Sequence, residues 1–253
     1  MNQTPRTIAS VFAAILLLAG CSTDRVNSPG GSAPLAPNAA TTSTPQAPSF
    51  PASASGWVSG LSNPYLAFER GRIFNYRAET DEGVETTVIE VTRDTKTIQG
   101  VVTTVVHDQV SLDGSLIEDT FDWYAQDTEG NVWYFGEDSK QIQNGVVIGT
   151  EGSWEAGVDG AVGGIVMLAN PKVGMKYQQE YLAGVAEDMA RVQSLSETVE
   201  GPYGSFDNCL KTFEWTPLDR SSREYKYYAR GVGLLLTTED KGNIRDELIS
   251  IKH

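Results

Sequence analysis

The sequence predicts an all-β domain, an antiparallel meander closing as a barrel or sandwich, on three observations. Apolar residues recur with a period of two, not 3.6: segments 84–93 (VETTVIEVTR), 97–106 (TIQGVVTTVV), 115–125 (SLIEDTFDWYA) and 223–229 (REYKYYA) are rich in β-branched and aromatic residues, and several alternate. Turn signals stand between such runs at Asp113-Gly114, Glu129-Gly130-Asn131 and Asn144-Gly145. No convincing amphipathic helix interrupts the series, although 187–195 can be read as a short one. Further runs at 176–181, 189–199, 208–215, 232–238 and 247–251 bring the count to about a dozen strands. A meander this long must close or stack to protect its edges.

Taken in order, the chain starts with a leader. The apolar run 8–19 is too short to span a bilayer and follows a segment whose one charged side chain is Arg6, the anatomy of a secretory signal. Its end, Leu18-Ala19-Gly20-Cys21, resembles the lipobox of bacterial lipoproteins. That resemblance implies cleavage before Cys21, lipid on its thiol and acylation of the new amine, together a stable anchor. It places the protein in the bacterial cell envelope, and Ser22 in place of Asp favours the outer membrane if the source is Gram-negative. Residues 1–20 are thus a cleaved signal peptide. From Ser22 to Gly56, 27 of 35 residues are Ala, Ser, Thr, Pro or Gly, a composition that cannot bury enough surface to offset its ordering entropy. Residues 21–56 therefore read as a lipidated cysteine and a disordered tether, reaching roughly 30 to 35 Å as a flexible coil.

Residues 57–253 suit one domain with its own core. Setting aside Arg6, Arg25 and Asp24 leaves 17 basic and 32 acidic side chains, a net charge of 17 − 32 = −15. Phosphate backbones are repelled by such a surface, so nucleic acid is not a partner, while cations and neutral ligands stay open. With Cys21 lipidated, only Cys209 remains and no internal disulfide is possible.

The hairpin 115–138 can be derived in register. If Thr128-Glu129-Gly130 is a three-residue loop with Gly130 left-handed, Asp127 opposes Asn131. Trp123 then faces Phe135 and Ala125 faces Trp133 on a core face that also holds Phe121; Tyr124 faces Tyr134 and Gln126 faces Val132 on the other. The second face combines these tyrosines with Glu118 and Asp122, a composition that fits a sugar- or cation-binding surface and equally fits a solvated face held by a cross-strand aromatic pair. The loop 127–131 (DTEGN) resembles part of a calcium loop without the remaining ligands, and a plain turn is preferred.

Six glycines in the sixteen residues 149–164 imply sharp bends or close backbone approach. The stretch carries Glu151, Glu155 and Asp159 around Trp154, with Glu180, Glu187 and Asp188 later in the chain. If Glu155, Asp159, Glu180 and Asp188 converge, they suit a hard cation such as calcium, and an indole beside them suits a sugar ring. The alternative is a connecting loop with Trp154 plugging the barrel end.

No catalytic residue is assigned. With only His107 and His253, there is no zinc pair and little basis for a histidine-activated nucleophile, and the sequence holds no serine elbow. Cys209 in NCLKTFEW reads as a buried small apolar residue. A carboxylate pair from Asp122, Glu151, Glu155 or Glu180 could still serve a glycan hydrolase, since that chemistry needs two acids at a suitable separation.

DWYAQD, NVWYFGED, GSWEAGVDGA, EYLAGVAEDM, PYGSF and KYYARGVGL together resemble a family of uncharacterised bacterial secreted proteins and lipoproteins, across 63–236. The family carries no established activity. Arg230 departs from its pattern, which more often has proline before Gly-Val-Gly. YYARGVGLLL also resembles the final strand pair of lipocalin-like and lipoprotein-carrier-like envelope domains, which bears on fold. The function expected is a lipid-anchored envelope binding domain for a small ligand, cation or glycan, with Tyr124, Tyr134, Trp154, Glu155, Asp159, Glu180 and Asp188 as candidate ligand residues. A glycan hydrolase and a structural or protein-interaction lipoprotein are the alternatives.

Overall fold

The computed structural model describes residues 56–253. The signal peptide, Cys21 and the tether up to residue 55 lie outside the described residues. In chain order the strands are β1 (Trp57–Val58), β2 (Ile73–Thr80), β3 (Gly83–Ile98), β4 (Val101–Leu112), β5 (Ser115–Asp127), β6 (Val132–Gln143), β7 (Val146–Gly149), β8 (Trp154–Glu155), β9 (Val162–Met167), β10 (Lys176–Gln178), β11 (Glu180–Tyr181), β12 (Met189–Gly201), β13 (Gly204–Trp215), β14 (Arg223–Ala229), β15 (Gly233–Glu239) and β16 (Arg245–Lys252).

Thirteen of these sixteen strands follow one antiparallel path, β10-β12-β13-β14-β15-β16-β2-β3-β4-β5-β6-β9-β11, which closes 319° round an axis. The fold is a nearly closed barrel. Most neighbours are consecutive in sequence, as in a meander; the β2–β16 ladder, where Ile73 opposes Lys252 and Tyr76 opposes Leu248, joins the two ends of the domain.

Local chemistry explains most boundaries. Asp113 and Gly114, and Asn144 and Gly145, have positive φ, as a two-residue hairpin turn demands. The run 97–106 is not one strand. Gln99 (φ 49°) and Gly100 (φ 79°) turn the chain there and divide it between β3 and β4. The stretch 187–195 is not helical either, because β12 runs through it and pairs with β10 and β13. Two strands that the alternation did not single out, β2 and β9, complete the path.

The gap between the path's ends is bridged by the chain itself. β10 pairs with β12 and β11 pairs with β9, and Gln179 alone separates β10 from β11. Its amide donates to Asp188 O at 2.8 Å, tying the crossing point to the segment that leads into β12. Gly164 lies against this crossing so closely that a Cβ would collide with the Gln178 and Gln179 backbone.

Register shows what the barrel encloses. Phe74 opposes Ile89, Ile89 opposes Asp108, Asp108 opposes Thr120 and Thr120 opposes Ser139, a row of buried residues crossing five strands. Residues in register share a face, so the inside of the wall passes from apolar side chains on β2 and β3 to polar ones on β4, β5 and β6. Phe74, Ile89, Leu210, Tyr228 and Leu248 supply the apolar part, each contributing on the order of 1.5 to 3 kcal/mol by burial.

Candidate functional site

The β5–β6 hairpin carries the site, and Asp127 fixes its register. The buried Asp127 carboxylate accepts from the amides of Glu129 (3.0 Å) and Asn131 (2.8 Å), from Asn131 Nδ2 (2.8 Å) and from Trp133 Nε1 (2.8 Å). Four donors from its own hairpin saturate it, in keeping with a plain turn over a calcium loop. Tyr124 consequently opposes Tyr134, Ala125 opposes Trp133 and Gln126 opposes Val132. The tyrosines stack with ring centroids 4.9 Å apart at 16°.

Past Tyr134 the register slips. Gly136 (φ 125°) accommodates the backbone of Trp154, which lies where a Cβ would be, and the resulting bulge places Asp122 opposite Glu137. Both carboxylates then point to the same phenol: Tyr134 Oη lies 2.5 Å from Asp122 Oδ1 and 3.0 Å from Glu137 Oε2. A phenol has one hydrogen to donate, so a second short contact is satisfied when one carboxyl keeps its proton and donates to the phenol oxygen. Burial pushes Asp122 up to about 7, against the pull of the Tyr134 hydrogen bond, and Glu118 adds to the rise. Burial, then the charges of Asp122 and Glu180, hold Glu137 well above the carboxylate range.

Trp154 completes the arrangement. Its ring stands edge-on to Tyr134 at 5.3 Å and 88°, and its Nε1 donates to Glu180 Oε2 at 2.9 Å. Glu180 is 3% exposed, and its Oε1 has no hydrogen-bond partner. Burial and then the charge of Asp188 raise it well above its ordinary value. Asp188, pushed up to about 7 by burial against its hydrogen bond from Thr216, connects this group to a second one. There Lys226 on β14 forms ion pairs with Glu214 (3.0 Å) and Glu224 (2.9 Å), and Gln179 Nε2 donates to Glu214 Oε2 at 3.2 Å. Burial pulls the Lys226 ammonium down, but the two glutamates outweigh it and hold it above its usual range. On the adjoining wall burial lifts Asp246 to about 7 and Glu85 to about 8.

No protein-family model, curated protein or solved structure matches this chain.

Of the candidate residues, Tyr124, Tyr134, Trp154 and Glu180 meet in the interior, with Asp188 half-buried near Glu180. Glu155 and Asp159 do not join them. Alternation along β8 turns Trp154 inward and so Glu155 outward, where its Oε2 pairs with Lys96 Nζ at 2.7 Å. Asp159 sits exposed at φ 50° in the turn from Gly157 to Ala161. The four-carboxylate calcium set expected from the sequence is therefore not formed, and among the described residues no group of three or more His, Cys, Asp or Glu could hold a metal ion. Tyr124 and Tyr134 are buried, not on a solvated face. Trp154 plugs the interior, as the alternative reading of the glycine-rich stretch had it. Cys209 is fully buried in β13.

Residues the sequence reading passed over are Glu137, Glu214, Glu224 and Lys226. In REYKYYA Glu224 and Lys226 alternate with Tyr225 and Tyr227, and the structure turns these two charges inward and leaves the two rings half-buried outside, with Arg223 exposed. Glu137 carried one signal: a glycine beside it at the point where an otherwise regular hairpin could slip.

Proposed function

We propose that this protein is a lipid-anchored envelope lipoprotein whose barrel binds a small organic cation, of the ammonium or guanidinium class. A barrel is generically compatible with a small-molecule ligand, and the polarity of this interior supports a cationic one. The observation that carries the reading is Glu180 Oε1, buried and without a partner beside the Tyr134–Trp154 ring pair and the Asp122–Glu137 couple. Burying a polar atom unpaired is costly unless something pairs with it, and carboxylates beside aromatic rings are the chemistry that recognises organic cations. Asp122 and Glu137 are each 2% exposed, which favours binding of a small ligand over hydrolysis of a polymeric glycan. The anchor follows from the lipobox at Cys21 and the composition of the tether.

Titration calorimetry of residues 56–253 with tetramethylammonium, putrescine and guanidinium tests the ligand class. A cation entering among proton-holding carboxylates displaces protons, so the binding heat must vary with the buffer's ionisation enthalpy. Glu180→Gln is expected to weaken binding at least ten-fold; no saturable binding of any of the three probes overturns the reading. For the anchor, Cys21→Ser must abolish incorporation of labelled palmitate by the full chain, and incorporation equal to the parent's overturns it.

A further inference from the structure

With 33 acidic and 19 basic side chains in this chain, a surface cation should readily find a carboxylate. Four cations on one wall do not. Lys176 on β10 opposes Arg191 on β12, Arg191 opposes Phe213 on β13, and Phe213 opposes Tyr225 on β14; in the adjoining rows Lys211 opposes Tyr227 and Trp215 opposes Arg223. The other face of β13 and β14 carries the buried Thr212, Glu214, Lys226 and Tyr228, so these eight side chains look outward. Lys176 Nζ lies 5.0 Å from the Trp215 ring centroid, Arg191 Cζ 5.6 Å from Phe213, and Lys211 Nζ 4.2 Å from Tyr225 and 5.0 Å from Tyr227. None of these four cations forms an ion pair among the described residues.

Two loops extend the strip. Val173, three residues before Lys176, is 57% exposed, and Leu218, three residues after Trp215, is 44% exposed, with Lys172 and Arg220 exposed close by. The wall thus joins unpaired cations, half-buried rings and projecting aliphatic side chains.

We propose that this strip docks the barrel on an anionic lipid bilayer. Phosphate headgroups supply the negative charge the four cations lack, while rings and aliphatic tips suit the boundary between headgroups and acyl chains. An acidic polypeptide or a polyanion would satisfy the cations but would not call for Val173 and Leu218. A domain this acidic is repelled by an anionic bilayer along most of its surface, so the strip also sets which wall turns toward the membrane. The nearness of a bilayer rests on the lipid-anchor reading; the docking surface itself does not.

Residues 56–253 close their own barrel and carry no lipid, so their co-sedimentation with vesicles reads the strip alone. They are expected to bind vesicles of phosphatidylcholine with 30% phosphatidylglycerol, to release as salt rises, and to leave pure phosphatidylcholine unbound. Each of Lys176→Gln, Arg191→Gln, Lys211→Gln and Arg223→Gln should lower the partition coefficient about five-fold, the effect of one surface cation. Leu218→Ser should lower it without changing charge, and Arg70→Gln, at an exposed cation off the strip, should leave it unchanged. Circular dichroism identifies any variant that fails to fold; Arg223→Gln and Lys176→Gln, at exposed positions, keep the test available should Lys211→Gln fail. Equal partition to the two vesicle types, no partition, or unchanged partition of a chain carrying all four of these glutamine substitutions overturns the proposal, as does binding to a soluble polyanion without binding to vesicles. The palmitate result for Cys21→Ser is read separately, so failure of the anchor and failure of the strip cannot be confused.

Discussion

Trp154 Nε1 donates to Glu180 Oε2 across 2.9 Å, joining the glycine-rich segment to the strand that closes the barrel. The bond leaves Glu180 with one satisfied oxygen and one bare one. Trp154→Phe keeps a ring against Tyr134 and removes the donor, so neither Glu180 oxygen then has a partner. A loss of about 1 to 3 kcal/mol in urea unfolding is expected, largely restored by adding Glu180→Gln. Additive losses in the double variant would show that the two residues act independently.

The pH dependence has an unusual sign. Asp122, Asp188 and Asp246 are pushed up to about 7 and Glu85 to about 8, chiefly by burial, whereas the unfolded chain titrates such groups near 4. Folded-state values above unfolded ones mean that the folded protein binds these protons more tightly. Their contribution to stability is complete below about pH 4 and is lost as pH rises through 7 to 8. The unfolding midpoint should therefore fall between pH 5 and pH 8, and Asp122→Asn with Asp246→Asn should flatten the decline. A midpoint that stays level or rises over this window counts against the buried-acid arrangement.

Lys226 is the cation between the buried Glu214 and the half-buried Glu224. Lys226→Met removes one partner and leaves two carboxylates inside, the case in which a buried ion pair is costly to break. A loss of about 3 to 5 kcal/mol is expected by denaturant titration. Glu214→Gln and Glu224→Gln in the same chain should recover most of it, since no uncompensated charge then remains.

Calcium offers a contrast. Glu155 is held by Lys96, whose ammonium also lies 3.2 Å from the Trp123 ring centroid, and Asp159 stands apart on its turn. Millimolar calcium should give the same small, screening-like change in melting temperature in the parent and in Glu155→Gln with Asp159→Asn. Saturable calcium binding by calorimetry that this pair of substitutions removes would restore the convergent site.

Gly164→Ala tests the closure. The new methyl would press on the backbone at Gln178 and Gln179, and backbone cannot yield as a flexible side chain does. The substitution should cost about 1 to 3 kcal/mol and raise amide exchange in 176–188 above that in β3 and β4.

How far the sequence could be read depended on the range of the forces involved. The pairing of Tyr124 with Tyr134 was legible because Asp127 and Gly130 set it within one hairpin. The opposition of Asp122 and Glu137 was not, because the bulge at Gly136 answers to Trp154, eighteen residues further on. The strand pattern identified the all-β class, but an alternation of charge and ring looks the same whether the charges face water or a barrel interior. Lys226 and Tyr227 illustrate the ambiguity: adjacent in sequence, they occupy opposite faces, and only closure of the wall puts the lysine inside. The Gln99-Gly100 turn was missed because its neighbours are uniformly β-branched and glutamine is a weak turn signal.

The ladder between β2 and β16 has a kinetic consequence. Along 73–167 and along 176–252, each strand of the wall meets partners a short way off in sequence, and Gln179 links the two stretches with no long loop to order. The pairing of Ile73 with Lys252 is different, since almost the entire domain must be looped to bring them together. Loop entropy makes such an encounter late, so two half-barrels are expected to assemble first and to zip along this single line. Until they do, β2 and β16 are bare strand edges open to another chain, and it is there, rather than at the Gln179 crossing, that a slow-folding molecule would swap or aggregate.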